Sequence, residues 1–457
     1  MTDKKLPATT IDLFTKTATW QSWLNVEGAL AQAQGDLGMI PVAASDEIRR
    51  HLAIDGFDLA ALERDIEQSM SPIMTIVRAL AAKCDGDAGG YVHWGATTQN
   101  IIITGKVLQL RKAHAMMLSR LANSLDLLAD LAKDTADWPT VSRTNRRQAL
   151  PITFGYKVAG WIDEFLRCAE RLREVEKRTF TLIFGGASGA MHSYGKAGYD
   201  LARRMGELLG LGVSDVHSRA ANDGLGEYIT TLGLFAVACE RIGTELYTLM
   251  SNEFDEVREI QNANIVGSST MPHKTNPKYV VALLSESAGL RSMAAPALEA
   301  CRPSHEGDAA YNFRLYDLID TAGISGYGVA TKLETLLRHI KPNRIGMTRN
   351  LMANPAPLMS EKIMLELATE TGRQNAHDIV HHAIVMTEKD GVLFEEALFR
   401  EPAVQQYYGD IKSLQKALDP TGYTGCSSDI ALDSANRATN AGQYLRGHID
   451  AFETYTA

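Results

Sequence analysis

Several features are scarce in this chain, and each scarcity excludes a class of protein. The 457 residues contain only five cysteines, an odd number with no CxxC pair, so neither a disulfide framework nor a zinc site is expected. No uninterrupted apolar run is long enough to span a bilayer, and the polar N-terminus shows no signal peptide. The sequence therefore predicts a cytoplasmic protein.

An excess of positive charge is also missing. The formal net charge is −9, and it is spread along the chain instead of being gathered in a tail. Nucleic acid and anionic membranes require a basic face, so neither is expected as a partner. A small anionic substrate remains compatible with this charge, because a few arginines in a cleft can override the overall sign.

Proline and strand signals are scarce as well, and both absences favour helices. No proline occurs between Pro151 and Pro272, and short alternating β-branched runs are rare. Apolar residues recur instead every three or four positions, which is the helical period. Four such stripes are Met117, Leu121, Leu125, Leu128 and Ala132; Val158, Trp161, Phe165, Ala169 and Leu172; Phe235, Cys239, Ile242, Leu246 and Leu249; and Val280, Leu283, Leu284 and Leu290.

These patterns predict an all-α protein with a long antiparallel helix bundle at its centre. The flanking regions contain shorter segments interrupted by proline and glycine. We therefore predict three helical domains: an N-terminal domain of residues 1–100, a central bundle of residues 101–345 and a C-terminal domain of residues 346–457.

One polar segment stands out as a candidate for chemistry. It reads Gly267-Ser268-Ser269-Thr270-Met271-Pro272-His273-Lys274-Thr275-Asn276-Pro277. Gly267 permits unusual backbone dihedrals, and Pro277 is suited to the first turn of a helix. A hydroxyl, an ammonium and an amide thus precede a helix N-terminus, where backbone N–H groups favour anions. We expect this helix N-terminus to help hold a substrate carboxylate.

The segment resembles the signature GSSxMPxKxNP of the fumarase/aspartase superfamily at every fixed position. The resemblance extends over most of the chain, and the sequence is most similar to the 3-carboxy-cis,cis-muconate cycloisomerase and adenylosuccinate lyase branch. The other stretches that carry it are Tyr91 to Gln99, Thr144 with Ala149 to Gly155, Trp23, Glu27, Ala29 to Pro41, Glu361, and Gly372 to His377.

The resemblance implies roles for individual residues. Ser268 would be the general base, and Lys274 and Asn276 would hold the carboxylate that becomes an aci-carboxylate dianion. Thr97 and Thr98 would bind a substrate carboxylate. Further substrate-binding candidates are Gln99, Thr144, Asn145, Arg146, Arg147, Ser269, Met271 and His305, and His192 is a candidate general acid. The family also implies a homotetramer whose active sites are shared between subunits, with no cofactor and no metal.

Departures from the family pattern bear on the substrate. Asn145 stands where a histidine is usual, and Arg147 stands where a glutamine is usual. Gly224 and Gly307 replace two arginines, which argues against adenylosuccinate lyase itself. Arg146 and Arg147 add two forked cations suited to a carboxylate or nitro group. A small di- or tricarboxylate is therefore the expected substrate.

We predict a reversible β-elimination that cleaves a C–N bond in a substituted succinate or aspartate-type polycarboxylate and releases fumarate or a fumarate derivative. One alternative keeps the fold and changes the reaction to lactonisation of a carboxymuconate-like diacid. A second alternative, of another class, is a catalytically inactive structural member of the superfamily, similar to lens crystallins. The presence of Ser268, Lys274 and Asn276 speaks against this last interpretation.

Overall fold

The N-terminal region contains four helices that lead into the central bundle. The computed structural model of the chain describes residues 9–262, 268, 270, 271 and 273–454. With elements numbered in chain order, the first four helices are α1 (Lys16–Asp36), α2 (Val42–Arg50), α3 (Leu59–Ser69) and α4 (Pro72–Lys83). Pro72 starts α4, and the side chain of Asp58 accepts the Ala61 N–H at the start of α3.

The central bundle is built from long helices that bury one broad apolar face each. Its longest member has 37 residues, which corresponds to about 55 Å. The helices of this region are α5 (Thr98–Asp134), α6 (Phe154–Thr179), α7 (Ala197–Leu209), α8 (Asp223–Leu249), α9 (Tyr279–Ser292), α10 (Ala294–Ala300) and α11 (Ala309–His339).

Three short two-stranded sheets lie where the bundle helices are connected. The strands are β1 (Pro139–Thr144), β2 (Arg147–Thr153), β3 (Thr181–Leu182), β4 (Gly212–Val213), β5 (Val257–Glu259) and β6 (Ile340–Pro342). The pairs β1–β2 and β5–β6 are antiparallel, and β3–β4 is parallel. The β1–β2 hairpin adjoins the C-terminal end of α5, since Gly155 N–H donates to Thr135 O over 2.9 Å.

The C-terminal region divides into a small separate core and one returning helix. Its helices are α12 (Arg344–Met352), α13 (Pro355–Leu358), α14 (Ser360–Thr371), α15 (Arg373–Asp390), α16 (Phe394–Phe399), α17 (Pro402–Tyr408), α18 (Ile411–Ala417) and α19 (Ser427–Thr454). The separate core runs from Met359 to Leu418. In α19, Ala435 and Leu445 instead belong to the main core, where the helix packs on α5 and α6. The separate core is thus smaller than residues 346–457, and the domain limits themselves stay a prediction.

The all-α architecture expected from the sequence is confirmed. All four apolar stripes face the core, and only Leu284 among their members is partly exposed. Phe165 of α6 meets Phe235 of α8 edge to face, with ring centroids 6.2 Å apart. Among the helices that the structure describes, none combines the length and the apolar composition needed to cross a membrane.

Candidate functional site

Ser268 accepts hydrogen bonds from the backbone on its own C-terminal side. Its Oγ lies 3.1 Å from the Met271 N and 3.4 Å from the Thr270 N. Backbone N–H groups that point at one oxygen favour its negatively charged form. Two backbone donors therefore point at the Ser268 oxygen, and the side chain is only partly exposed.

The remaining members of the polar segment follow within one short stretch. Met271 and Lys274 are exposed, and the Lys274 N–H donates to Met271 O over 2.9 Å. Asn276 is partly buried, and its carbonyl accepts a hydrogen bond of 2.7 Å from Gln261 Nε2. The predicted substrate-binding residue Ser269 lies outside the described residues, as does Gly267.

The helix after this segment differs from the expectation in two ways. It begins at Tyr279, two residues beyond Pro277. Its N-terminal N–H groups, which were expected to bind a substrate carboxylate, already have an anionic partner. The Glu259 carboxylate accepts from the N–H groups of Lys278, Tyr279 and Val280 at 2.7, 3.2 and 2.8 Å. In this arrangement the protein's own carboxylate fills the anion position at the start of this helix.

Thr144, Asn145, Arg146 and Arg147 form the exposed tip of the β1–β2 hairpin. Thr144 pairs with Arg147, and the two residues between them have positive φ angles of 51° and 64°. A two-residue hairpin loop with two positive φ angles matches the right-handed twist of the strands, and it favours asparagine followed by glycine. An arginine at the second position is conformationally unfavourable.

Arg146→Gly is expected to stabilise the fold and to weaken substrate binding. Glycine removes the cost of a left-handed arginine, so the free energy of unfolding should rise by about 1 kcal/mol. The loss of one forked cation should raise KM for a polycarboxylate about tenfold. Thermal unfolding and steady-state kinetics measure the two effects. Met70→Gly is the matched control, since it relaxes another exposed residue with a left-handed backbone, at the end of α3 and outside the candidate site. An unchanged KM in Arg146→Gly would place this arginine outside the cleft.

The Thr97–Gln99 stretch lies at the N-terminal end of α5. Thr97 precedes the helix as its cap, and both threonine side chains are partly exposed. Asn100 is fully buried: its amide donates to Ile183 O over 3.1 Å and accepts the Gly186 N–H over 3.2 Å. Asn100 thus fastens the β3 region to the start of α5, which is a structural contact.

Arg219 joins this end of the molecule, and the sequence reasoning missed it. Its Nε donates to Gln99 Oε1 over 2.5 Å, and its Nη1 donates to Ala187 O. Gln99 Nε2 returns a hydrogen bond of 3.2 Å to Arg219 O. No sequence motif marks this arginine, since its partner lies 120 positions away. The only available signal was an arginine in the polar stretch between β4 and α8.

The two histidine candidates belong to the same end as Gln99. His192 is exposed, and its Nδ1 lies 3.4 Å from Ser188 Oγ in the loop that Arg219 contacts through Ala187. His305 is exposed on a turn with a φ angle of 52°, two residues before Gly307. A Cβ on Gly307 would lie 3.5 Å from Gln99 Oε1 and 3.7 Å from the Arg219 guanidinium.

Two buried titratable groups near Arg219 are held in their neutral forms. Burial lowers the pKa of His217, whose Nδ1 accepts the Phe184 N–H over 3.3 Å. Burial raises the pKa of Tyr316, against a smaller opposing effect of the Arg219 charge. Among the described residues, no group of three histidine, cysteine or acidic side chains has the arrangement of a metal site.

The structure separates the predicted site residues into two groups within one chain. The hairpin tip and Ser268 lie toward the C-terminal end of α5: Arg143 pairs with Glu256 at 2.5 Å, and Glu256 precedes β5, from which the Ser268 segment departs. Thr97, Thr98, Gln99, His192 and His305 gather at the N-terminal end of α5. The length of α5, about 55 Å, lies between the two groups.

Comparisons with known proteins match nearly the whole chain. A family model described as lyase matches residues 3–289, and one described as adenylosuccinate lyase C-terminus matches residues 357–432. An N-acetyl-S-(2-succino)cysteine lyase of Enterococcus italicus is 36% identical over 89% of each chain. A 3-carboxy-cis,cis-muconate cycloisomerase of Pseudomonas aeruginosa is 30% identical over 90% of each chain. A crystal structure of a fumarate lyase from Mesorhizobium sp. BNC1 superposes with a TM-score of 0.86 at 30% identity, covering 93% of this chain and 97% of its own.

Proposed function

Because the chain belongs to the fumarase/aspartase superfamily, we propose that it is a lyase that eliminates a leaving group from a 2-substituted succinate and releases fumarate or a fumarate derivative. The observation that carries the proposal is the environment of Ser268. Its Oγ accepts two backbone N–H groups in a segment that also contains Lys274 and Asn276. A base stabilised as an alkoxide is what proton abstraction beside a carboxylate requires.

The proposed reaction begins with transfer of a proton from the carbon beside a substrate carboxylate to Ser268. The electron pair of the broken C–H bond gives the carboxylate a second negative charge, which the Lys274 ammonium offsets and the Asn276 amide stabilises with a hydrogen bond. Return of this pair then forms the C=C bond and breaks the bond to the substituent, which leaves with the electrons of that bond. A positioned base contributes a factor of about 10²–10⁴ in rate. Each donor aimed at the growing oxyanion contributes about 2.7–4 kcal/mol. The donors therefore matter at least as much as the base.

The second carboxylate and the substituent are assigned to the remaining candidates. Thr97 and Thr98 bind the second carboxylate, and Arg146 and Arg147 face the substituent. Gln99, Thr144, Asn145, Ser269, Met271 and His305 complete the proposed substrate contacts, and His192 serves as the general acid. Because α5 separates the two groups of residues, a site that uses both must draw them from different subunits.

A homotetramer would supply such shared sites. Apolar side chains on the outside of the bundle support this assembly, since Val237 and Tyr247 of α8 and Val281 of α9 are exposed. Surface patches of large apolar residues on adjacent helices mark association sites. We place this assembly in the cytoplasm, because the few cysteines fit a reducing compartment.

The leaving atom is either sulfur or nitrogen. The similarity to an N-acetyl-S-(2-succino)cysteine lyase favours a thioether, whereas the sequence analysis predicted C–N cleavage. A thiol has a pKa near 8.5, so a thiolate can leave as a stable anion, whereas an amine leaves as a neutral molecule only after its nitrogen has been protonated. Thioether cleavage therefore depends less on a general acid, which suits the exposed and weakly held His192.

A substrate panel tests the proposal directly. The purified protein is incubated with an N-acylated S-(2-succino)cysteine, an N-substituted aspartate and 3-carboxy-cis,cis-muconate, and products are followed by chromatography and NMR. Fumarate from the thioether alone identifies a C–S lyase, and fumarate from the aspartate derivative identifies a C–N lyase. Lactone from the muconate would instead support the cycloisomerase alternative, which the similarity to the Pseudomonas enzyme favours. Absence of every product would revive the inactive structural protein.

A further inference from the structure

The two ends of the polar segment are tied together by Glu259 and Gln261. The chain leaves β5 at Glu259, and α9 starts at Tyr279. Oε2 of Glu259 accepts the N–H groups of Lys278 and Tyr279 and an N–H of the Gln261 amide at 2.7, 3.2 and 3.2 Å. Oε1 accepts the Val280 N–H at 2.8 Å. The same Gln261 amide donates to Asn276 O over 2.7 Å, so one carboxylate and one amide hold the end of the segment from Asn276 to Val280.

Strand β5, which carries Glu259, is itself fixed to the bundle. Glu259 pairs with Ile340 in the β5–β6 sheet, and the Ile260 N–H donates to His339 O over 2.7 Å. The ring of Tyr279 stacks on that of His339, with centroids 4.4 Å apart. Displacement of the first turn of α9 therefore requires breaking contacts with Glu259 of β5 and with His339 at the end of α11.

We propose that Glu259 is a positioning residue for the elimination. It acts through Gln261 and the first turn of α9. In this way it positions Asn276, and Lys274 two residues before it, relative to the substrate carboxylate. This inference rests on the proposed function, because it assigns to Glu259 the placement of the donors in that reaction. Nothing in the sequence motif pointed to it, since Glu259 lies eight positions before the segment begins at Gly267.

The charge and both oxygens of Glu259 are needed for this role. Four N–H donors converge on its carboxylate, and an ionised carboxylate offers acceptor positions on both oxygens. Glutamine has almost the same shape, but its NH₂ group would face at least one of these donors and could not accept from it. Glu259→Gln therefore weakens these hydrogen bonds with little change in side-chain volume.

Glu259→Gln is expected to lower kcat by about 10- to 100-fold, the loss that a misplacement near 1 Å produces, while KM changes by less than about threefold. The amides of Tyr279 and Val280 should exchange hydrogen faster, as measured by mass spectrometry on the full-length protein. Asp58→Asn is the matched control: it removes another helix-capping carboxylate, on exposed α3, and should leave kcat and exchange at α9 unchanged.

A second variant guards against a general loss of folding. Gln261→Ala should lower kcat in the same direction, and the double variant Glu259→Gln/Gln261→Ala should lose little more than Glu259→Gln alone, because the two side chains act as one unit. Additive losses would overturn the proposal, as would an unchanged kcat together with faster exchange. If the wild type eliminates nothing from the substrate panel, the proposed function fails. Independently of activity, unchanged hydrogen exchange of Tyr279 and Val280 in Glu259→Gln would show that Glu259 does not hold the start of α9.

Discussion

Ser268→Ala is expected to lower kcat for elimination by a factor of about 10²–10⁴, the contribution of a positioned general base. Alanine removes the oxygen that receives the substrate proton and leaves Lys274 and Asn276 in place. The affinity for an unreactive succinate-type ligand should therefore change by less than about threefold, because binding of the carboxylate in the ground state does not use the base. Fumarate release and titration calorimetry measure the two quantities.

Ser292→Ala is the matched control for this substitution. Ser292 is exposed at the end of α9, and its hydroxyl donates only to Gly289 O within the described residues, over 2.7 Å. The kcat of Ser292→Ala should equal that of the wild type. Turnover of Ser268→Ala within about tenfold of the wild type would remove Ser268 from the role of base, since a lost base costs more than that.

Two inactive variants are expected to restore activity when they assemble together. One variant chain carries Ser268→Ala and therefore lacks the base. The other carries Thr97→Val and Thr98→Val and therefore lacks two hydrogen-bond donors to a substrate carboxylate. Hydrogen bonds to charged groups contribute about 1.5–3 kcal/mol each, so the second variant should lose about 100-fold or more. Because the two groups lie at opposite ends of α5, mixed oligomers should contain some sites in which both are intact. With equal mixing, up to about a quarter of the wild-type activity should return.

The experiment uses two differently tagged chains that are co-expressed and purified on both tags in succession. Ser268→Ala combined with Lys274→Ala serves as the control pair, since both positions belong to the same segment and no mixed site can contain both. That pair should stay inactive. Failure of the Ser268 and Thr97/Thr98 pair to recover activity would show that the site does not combine these two ends.

Much of the fold was predictable because the relevant signals are local. The stripe from Met117 to Ala132 follows the helical period, and its residues lie on the face of α5 that packs into the main core. The long region without proline contains α6, α7 and α8. The all-α bundle followed from these patterns, and the family resemblance followed from an uninterrupted segment of eleven residues.

The limits of that reasoning are visible at α9 and α19. A helix N-terminus after Pro277 was expected to attract a substrate anion, but Glu259 from β5 occupies it. The helix Ser427–Thr454 lies at the C-terminal end of the chain, yet its apolar face packs on α5 and α6. In both cases the deciding partner lies outside the helix itself, and no periodicity or motif indicates it.

The sequence by itself determined which segments are helical and which residues are candidates for chemistry, because residue type and local period are properties of neighbouring positions. The tertiary structure decided which of those residues can meet. It placed Arg219 against Gln99, Glu259 against the start of α9, and the two halves of the proposed site at opposite ends of α5. The path of the backbone through space sets such contacts, and they arise only when the helices pack.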